Sequence, residues 1–168
     1  MFSGIPVELP AMLAAREERA ARQDAWLEKY DCPLLSFTLN IPGPVKTSPD
    51  LRRAFEAGLL ALEGALEAAG LSPTARAEIH APTGDEALLA IDGDAAAIKE
   101  IATRIEEEHP LGRLFDMDVL NADGTKLSRS VPRRCLLCTE QAQSCARSRR
   151  HSVAELTAEI ERLLAAYL

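Results

Sequence analysis

The sequence predicts an α+β domain, because apolar positions at helical spacing, short runs of strand formers and turn residues alternate along it. Two further observations narrow this. From residue 34 to 121 the elements read strand, helix, strand, strand, helix, strand, the split βαβ order of ferredoxin-like folds, with one helix flanking this core at each end. At 168 residues and 47% hydrophobic content, the chain suits a single globular domain. A nucleotidyltransferase-like mixed sheet would use the same elements and is the alternative arrangement.

Residues 9–30 form the first expected helix, with Pro10 near its start and Leu9, Met12, Leu13, Ala20 and Leu27 on an imperfect apolar stripe. Asp31-Cys32-Pro33 ends it. Leu34 to Ile41 is rich in strand formers and stops at Pro42-Gly43-Pro44, which no regular element crosses. Ser48-Pro49-Asp50 opens the clearest helix, combining a capping hydroxyl, a proline in the first turn and an acid at the positive dipole end. Leu51, Phe55, Leu59, Leu62 and Leu66 carry its apolar face to a stop at Gly70. Residues 77–81 and 87–91 flank the turn sequence Pro82-Thr83-Gly84-Asp85 and read as a hairpin. Asp94 caps a helix bearing Ile98, Ile101 and Ile105, and His109-Pro110 ends it. Leu114 to Leu120 is a strand interrupted by two aspartates. Residues 122–150 form a long irregular segment, and Ser152-Val153-Ala154-Glu155 is a capping box opening the last helix.

No apolar run approaches the ~20 residues of a membrane span, and the N-terminus lacks a signal-peptide layout, so a cytoplasmic protein is expected. A net charge of −7 disfavours non-specific nucleic-acid binding. Arg129, Arg133, Arg134, Arg147, Arg149 and Arg150 nevertheless crowd one segment, and a basic island in an acidic chain suggests a small polyanion.

Asp116-Met117-Asp118 is the first chemical candidate. Alternate strand residues share a face, so two carboxylates at this spacing either hold Mg²⁺ or simply face solvent. Cys135, Cys138, Cys145 and His151 have the ligand types of a Cys₃His zinc site, against the plain reading of reduced cysteines packing a loop. Asn40 to Lys46 is a strand-end loop in which Lys46 can meet a phosphate, although an ordinary connection explains it as well. His80 and His109 read as hydrogen-bonded structural residues. Arg16, Glu17, Arg19 and Arg22 read as helix-spaced ion pairs on an exposed face.

Taken together, four segments resemble the apo-citrate lyase phosphoribosyl-dephospho-CoA transferase family. They are Leu13 to Arg19, Asn40 to Lys46, His109-Pro110-Leu111-Gly112-Arg113-Leu114-Phe115-Asp116-Met117-Asp118-Val119, and Pro132-Arg133-Arg134-Cys135-Leu136-Leu137-Cys138 through Cys145-Ala146-Arg147-Ser148-Arg149-Arg150-His151. The resemblance adds Arg16, Arg19, Asn40, Lys46 and Arg113 to the candidate site. It implies an enzyme whose donor is 2′-(5″-triphosphoribosyl)-3′-dephospho-CoA and whose acceptor is a serine on the acyl-carrier subunit of citrate lyase. In that reading the hydroxyl attacks the phosphorus nearest the ribose and diphosphate leaves. The arginines and Lys46 would bind phosphates, and Asp116 and Asp118 would hold Mg²⁺ or supply a base. The rivals are a zinc-stabilised module that binds a carrier protein without catalysis, and a nucleotidyltransferase attaching simple nucleotides to proteins.

Overall fold

The computed structural model describes residues 2–168. Helix α1 spans Leu9–Tyr30, strand β1 Leu34–Leu39, α2 Pro49–Ala68, β2 Pro73–Ala81, β3 Gly84–Ile91, α3 Ala95–Glu108, β4 Phe115–Leu120, α4 Ala142–Ser148 and α5 Val153–Tyr167. The four strands form one sheet in the order β2-β3-β1-β4, and every neighbouring pair is antiparallel. The sheet is therefore not mixed, which removes that expected alternative. Among the described residues no helix is long and apolar enough to cross a membrane.

The helix starts follow local chemistry. Ser48 Oγ accepts from Leu51 N–H at 3.1 Å and Asp94 Oδ2 from Ala97 N–H at 2.9 Å, while Ser152 and Glu155 close a reciprocal capping box. The hairpin is longer than its apolar pattern suggested. β2 begins at Pro73 and β3 at Gly84, because as an outer strand β2 tolerates polar residues that blurred its alternation. Conversely, β1 stops at Leu39, two residues before the expected end. Residues 122–150 are not wholly irregular, since α4 lies within them. Its seven residues are too few and too polar for a periodic signal.

The main core lies between the sheet and α2, α3 and α5. Leu35, Phe37, Leu89, Ile91, Phe115, Met117 and Val119 point into it from the strands. Phe37 stacks on Phe55 at 5.0 Å and meets Phe115 edge-on at 5.3 Å. Gly58 permits this approach, because a Cβ there would lie 2.5 Å from the Phe37 ring. The opposite face carries only α1. No residue of α1 is fully buried, and its contact is Trp26, Leu27 and Tyr30 against a small cluster of Cys32, Leu34, Leu88 and Ala90. The expected apolar stripe is thus realised only at its C-terminal end, and Leu9 and Leu13 are exposed.

Candidate active site and metal centre

Asp116 and Asp118 project from β4 to the α1 side, while Phe115, Met117 and Val119 enter the core. The register places Thr38 of β1 between Asp116 and Glu86, and Ser36 opposite Asp118, so these residues make a polar patch on an otherwise apolar sheet. Asp118 pairs with the exposed Lys126 at 2.9 Å. Among the described residues Asp116 has no ion-pair partner. Solvent reaches Asp116, yet protein crowds it enough that desolvation, then the neighbouring Asp118 charge, raises its carboxyl above the usual aspartate value. Arg133, Lys126 and Lys99 oppose that shift.

Beside Asp116 lies a cavity of about 130 Å³, bordered by Arg16 and Arg19 from α1, by Asn40 and Lys46 from the loop after β1, and by the paired carboxylates Asp85 and Glu86 of β3. Lys46 Nζ donates to the Ile41 carbonyl at 2.5 Å, and burial, then the Arg16 cation, lowers its ammonium below the usual lysine range. Arg16 has no ion pair. Arg19 does not form the helix-spaced pair its spacing suggested. It reaches across to Glu86 at 2.7 Å, with Arg22 on the same carboxylate at 3.4 Å, so these arginines fasten α1 to β3. The expected salt-bridged surface of α1 is therefore a half-buried contact between elements. Sequence spacing identifies neighbours within a helix but not partners 64 and 67 residues away.

A second cavity of about 580 Å³, also bordered by Asn40, lies between the turn before β4, the 133–151 segment and α5. Arg113, Arg133 and Arg149 border it, with Leu136, Leu156 and Ile160 as apolar wall. Arg133 is held by Glu106 at 3.1 Å and donates to the Phe115 carbonyl at 2.6 Å. Arg113 has no ion pair, and burial, then the Arg133 cation, lowers it below the ordinary arginine value. Arg134, Arg147 and Arg150 are exposed and border neither cavity.

The ligand atoms of Cys135, Cys138, Cys145 and His151 all lie within 4.8 Å of one another. Cys138 Sγ is 3.4 Å from Cys145 Sγ and 3.4 Å from His151 Nε2. Tetrahedral zinc with Zn–S near 2.3 Å spaces its ligands by about 3.8 Å, so the four residues can hold a metal such as zinc. Local backbone builds the cluster. Cys135 N–H donates to Glu140 O at 2.7 Å and Ala142 N–H to Arg133 O at 2.9 Å, folding the first pair back onto α4. Arg149 then takes a left-handed backbone, φ 50°, which turns His151 towards the thiols. Desolvation and its sulfur neighbours push the Cys145 thiol up to about 12, whereas hydrogen bonds from the Leu137 and Cys138 N–H groups outweigh desolvation and lower Cys135. All four cysteines are free thiols.

Four charged residues, Asp85, Glu86, Lys99 and Glu106, are buried without having been anticipated, and Asp85 is paired with Arg52 at 2.8 Å. Glu106 accepts from Met117 N–H at 2.8 Å, between the two aspartates, and contacts Arg129 and Arg133. Lys99 donates to Met117 O at 3.0 Å. Both sit on the buried face of α3 with Ala95 and Ala102, and a seven-residue spacing on that stripe was the available signal. Glu86 gave none, since its arginine partners lie on another element. His80 and His109 are hydrogen-bonded: His80 meets Asp85 at 2.9 Å, and His109 accepts from Leu111 N–H at 3.0 Å.

Residues 7–167 match the model of the family described as apo-citrate lyase phosphoribosyl-dephospho-CoA transferase. A protein of that name from Citrobacter koseri is 44% identical over 94% of this chain and 88% of its own length. Another from Escherichia coli O1:K1 is 41% identical over the same shares. With cationic cavities, a strand-borne aspartate pair and a match of this extent, the chain belongs to the apo-citrate lyase phosphoribosyl-dephospho-CoA transferase family.

Proposed function

We propose that this protein transfers the prosthetic group of 2′-(5″-triphosphoribosyl)-3′-dephospho-CoA to a serine on the acyl-carrier subunit of citrate lyase. Family membership supports the reaction, and the observation that supports its location is Asp116, unpaired at the edge of a cavity bordered by Arg16, Asn40 and Lys46. The serine oxygen bonds to the phosphorus nearest the ribose, the bond to diphosphate breaks, and a phosphodiester remains. Asp116, whose carboxyl is raised, is suited to take the serine proton. Lys46, Arg16 and Arg19 counter the charge of the leaving diphosphate. Glu106, through Met117 N–H and Arg133, holds the backbone that carries both aspartates.

In the alternative role Asp116 and Asp118 together hold Mg²⁺ and Asp116 is not the base, a role Asp118 suits because it is paired only with an exposed, displaceable lysine. Mg²⁺ there would neutralise phosphate oxygens. Zinc in the Cys₃His cluster would order the segment that carries Arg133 and Arg149. The strand order supports placing the core among ferredoxin-like folds. The reaction itself supports a cytoplasmic location, where dephospho-CoA derivatives are made.

Intact mass spectrometry of the carrier tests the reading. Wild-type protein with donor and Mg²⁺ adds the mass of the complete prosthetic group. An adduct of AMP mass means attachment of simple nucleotides, and binding with no added mass means a carrier-binding module.

A further inference from the structure

We propose that the donor lies astride Asn40, with its triphosphate in the small Arg16–Lys46 cavity and its nucleoside diphosphate half in the large Arg113–Arg149 cavity. The placement rests on the donor assigned above. That molecule has two phosphate clusters on separate riboses, a triphosphate and the diphosphate of its CoA-like half. Among the described residues, two cavities hold cations that no carboxylate pairs, and Asn40 is the one residue bordering both.

Size decides which half goes where. A cavity of about 130 Å³ accommodates a phosphate chain and excludes a nucleoside. One of about 580 Å³ falls within the ~300–1,000 Å³ typical of small-molecule sites, and Leu136, Val153 and Leu156 offer apolar surface to a base. Chemistry agrees with size. Asp116 borders only the small cavity, and the phosphorus to be attacked belongs to the triphosphate. Each cavity also holds cations lacking a carboxylate, Arg16 and Lys46 in one and Arg113 and Arg149 in the other. Arg19 Nε, at the small cavity, is buried without a hydrogen-bond partner. An anion in each place relieves repulsion that the protein leaves unrelieved.

The arrangement accounts for selectivity. A simple nucleoside triphosphate has one phosphate cluster and so meets the unpaired cations of one cavity at a time.

Calorimetric titration of the full-length protein in Mg²⁺ buffer with two probes tests this. Dephospho-CoA represents one half of the donor and inorganic triphosphate the other. The two are expected to bind together, neither excluding its partner. Arg149→Asn, which tolerates the left-handed backbone, should weaken dephospho-CoA about tenfold or more while leaving triphosphate within about twofold. Lys46→Met should do the reverse, and Arg113→Gln gives a second test of the large cavity should Arg149→Asn fail to fold. Mutual exclusion of the probes, or equal loss of both in each variant, overturns the placement. The wild-type carrier assay with complete donor is read separately. Transfer with competing probes sinks the two-cavity placement alone, whereas independent probes without transfer uphold the placement and sink the transferase reading.

Discussion

The two faces of the sheet use the same strands and are held by different forces. Towards α2 and α3, Phe37, Phe55 and Phe115 are wholly inaccessible and interlock as rings. Towards α1, the strands present Ser36, Thr38, Glu86, Asp116 and Asp118, and the covering helix buries none of its residues completely. Apolar packing is concentrated on one side and the candidate carboxylates lie on the other. A step of one residue, from Asp116 to Met117, crosses between them, because successive side chains in a strand point to opposite faces. Apolar packing tolerates no carboxylate pair, so the loosely covered face is where charged substrates can be met.

Substitutions on the two faces should accordingly part company. Phe37→Ala removes a ring from a filled core and should cost about 3–5 kcal/mol in a denaturant melt, taking activity with it. A loss below ~1 kcal/mol would mean that the aromatic cluster is not the stabilising side. Asp116→Asn should cut carrier modification about a hundredfold or more, on the scale of lost proton transfer, while the fold persists. Full activity would remove Asp116 from the mechanism, and unfolding would break the division between faces. Glu86→Gln leaves Arg19 and Arg22 without a charged partner and should cost about 1–2 kcal/mol. Amide hydrogen exchange should speed up in α1 and stay unchanged in α2 if that carboxylate is what docks the helix.

The smallest effect concerns pH. The Asp116 carboxyl is raised in the folded state, so the native protein binds the proton more tightly than the unfolded chain does. Stability from this group is therefore present at low pH and lost as pH rises from the ordinary aspartate range through the folded value. Asp116→Asn removes that loss. The variant should melt slightly higher than wild type at neutral pH, and the gap should close in acid, where both forms are neutral. A lower melting point for the variant at neutral pH would show that ionised Asp116 stabilises the fold.

Much of the site was legible because its signals are local. Alternation placed Asp116 and Asp118 on one face before any partner strand was known. The ligand types of Cys135, Cys138, Cys145 and His151 marked a possible metal cluster even though α4 between them went unrecognised. Lys99 and Glu106 were obscured because helical periodicity is read as apolar against polar, and buried charged side chains that bond the Met117 backbone break that rule. The arginines of 129–150 looked like one cluster. The fold divides them, so that Arg129 and Arg133 brace Glu106, Arg149 borders the large cavity, and Arg134, Arg147 and Arg150 face solvent.

By itself the amino-acid sequence determined the helix starts at Ser48, Asp94 and Ser152, the split order of strands and helices, the paired carboxylates and the metal-ligand set. Each is written within a few residues, through caps, alternation or ligand spacing. Tertiary structure alone decided that Arg19 and Arg22 meet Glu86, that Glu106 reaches between the aspartates, and that two cationic cavities touch at Asn40. Those outcomes depend on which distant segments are brought together when apolar faces are buried, and a burial energy set by area and shape leaves no local mark on the residues it joins.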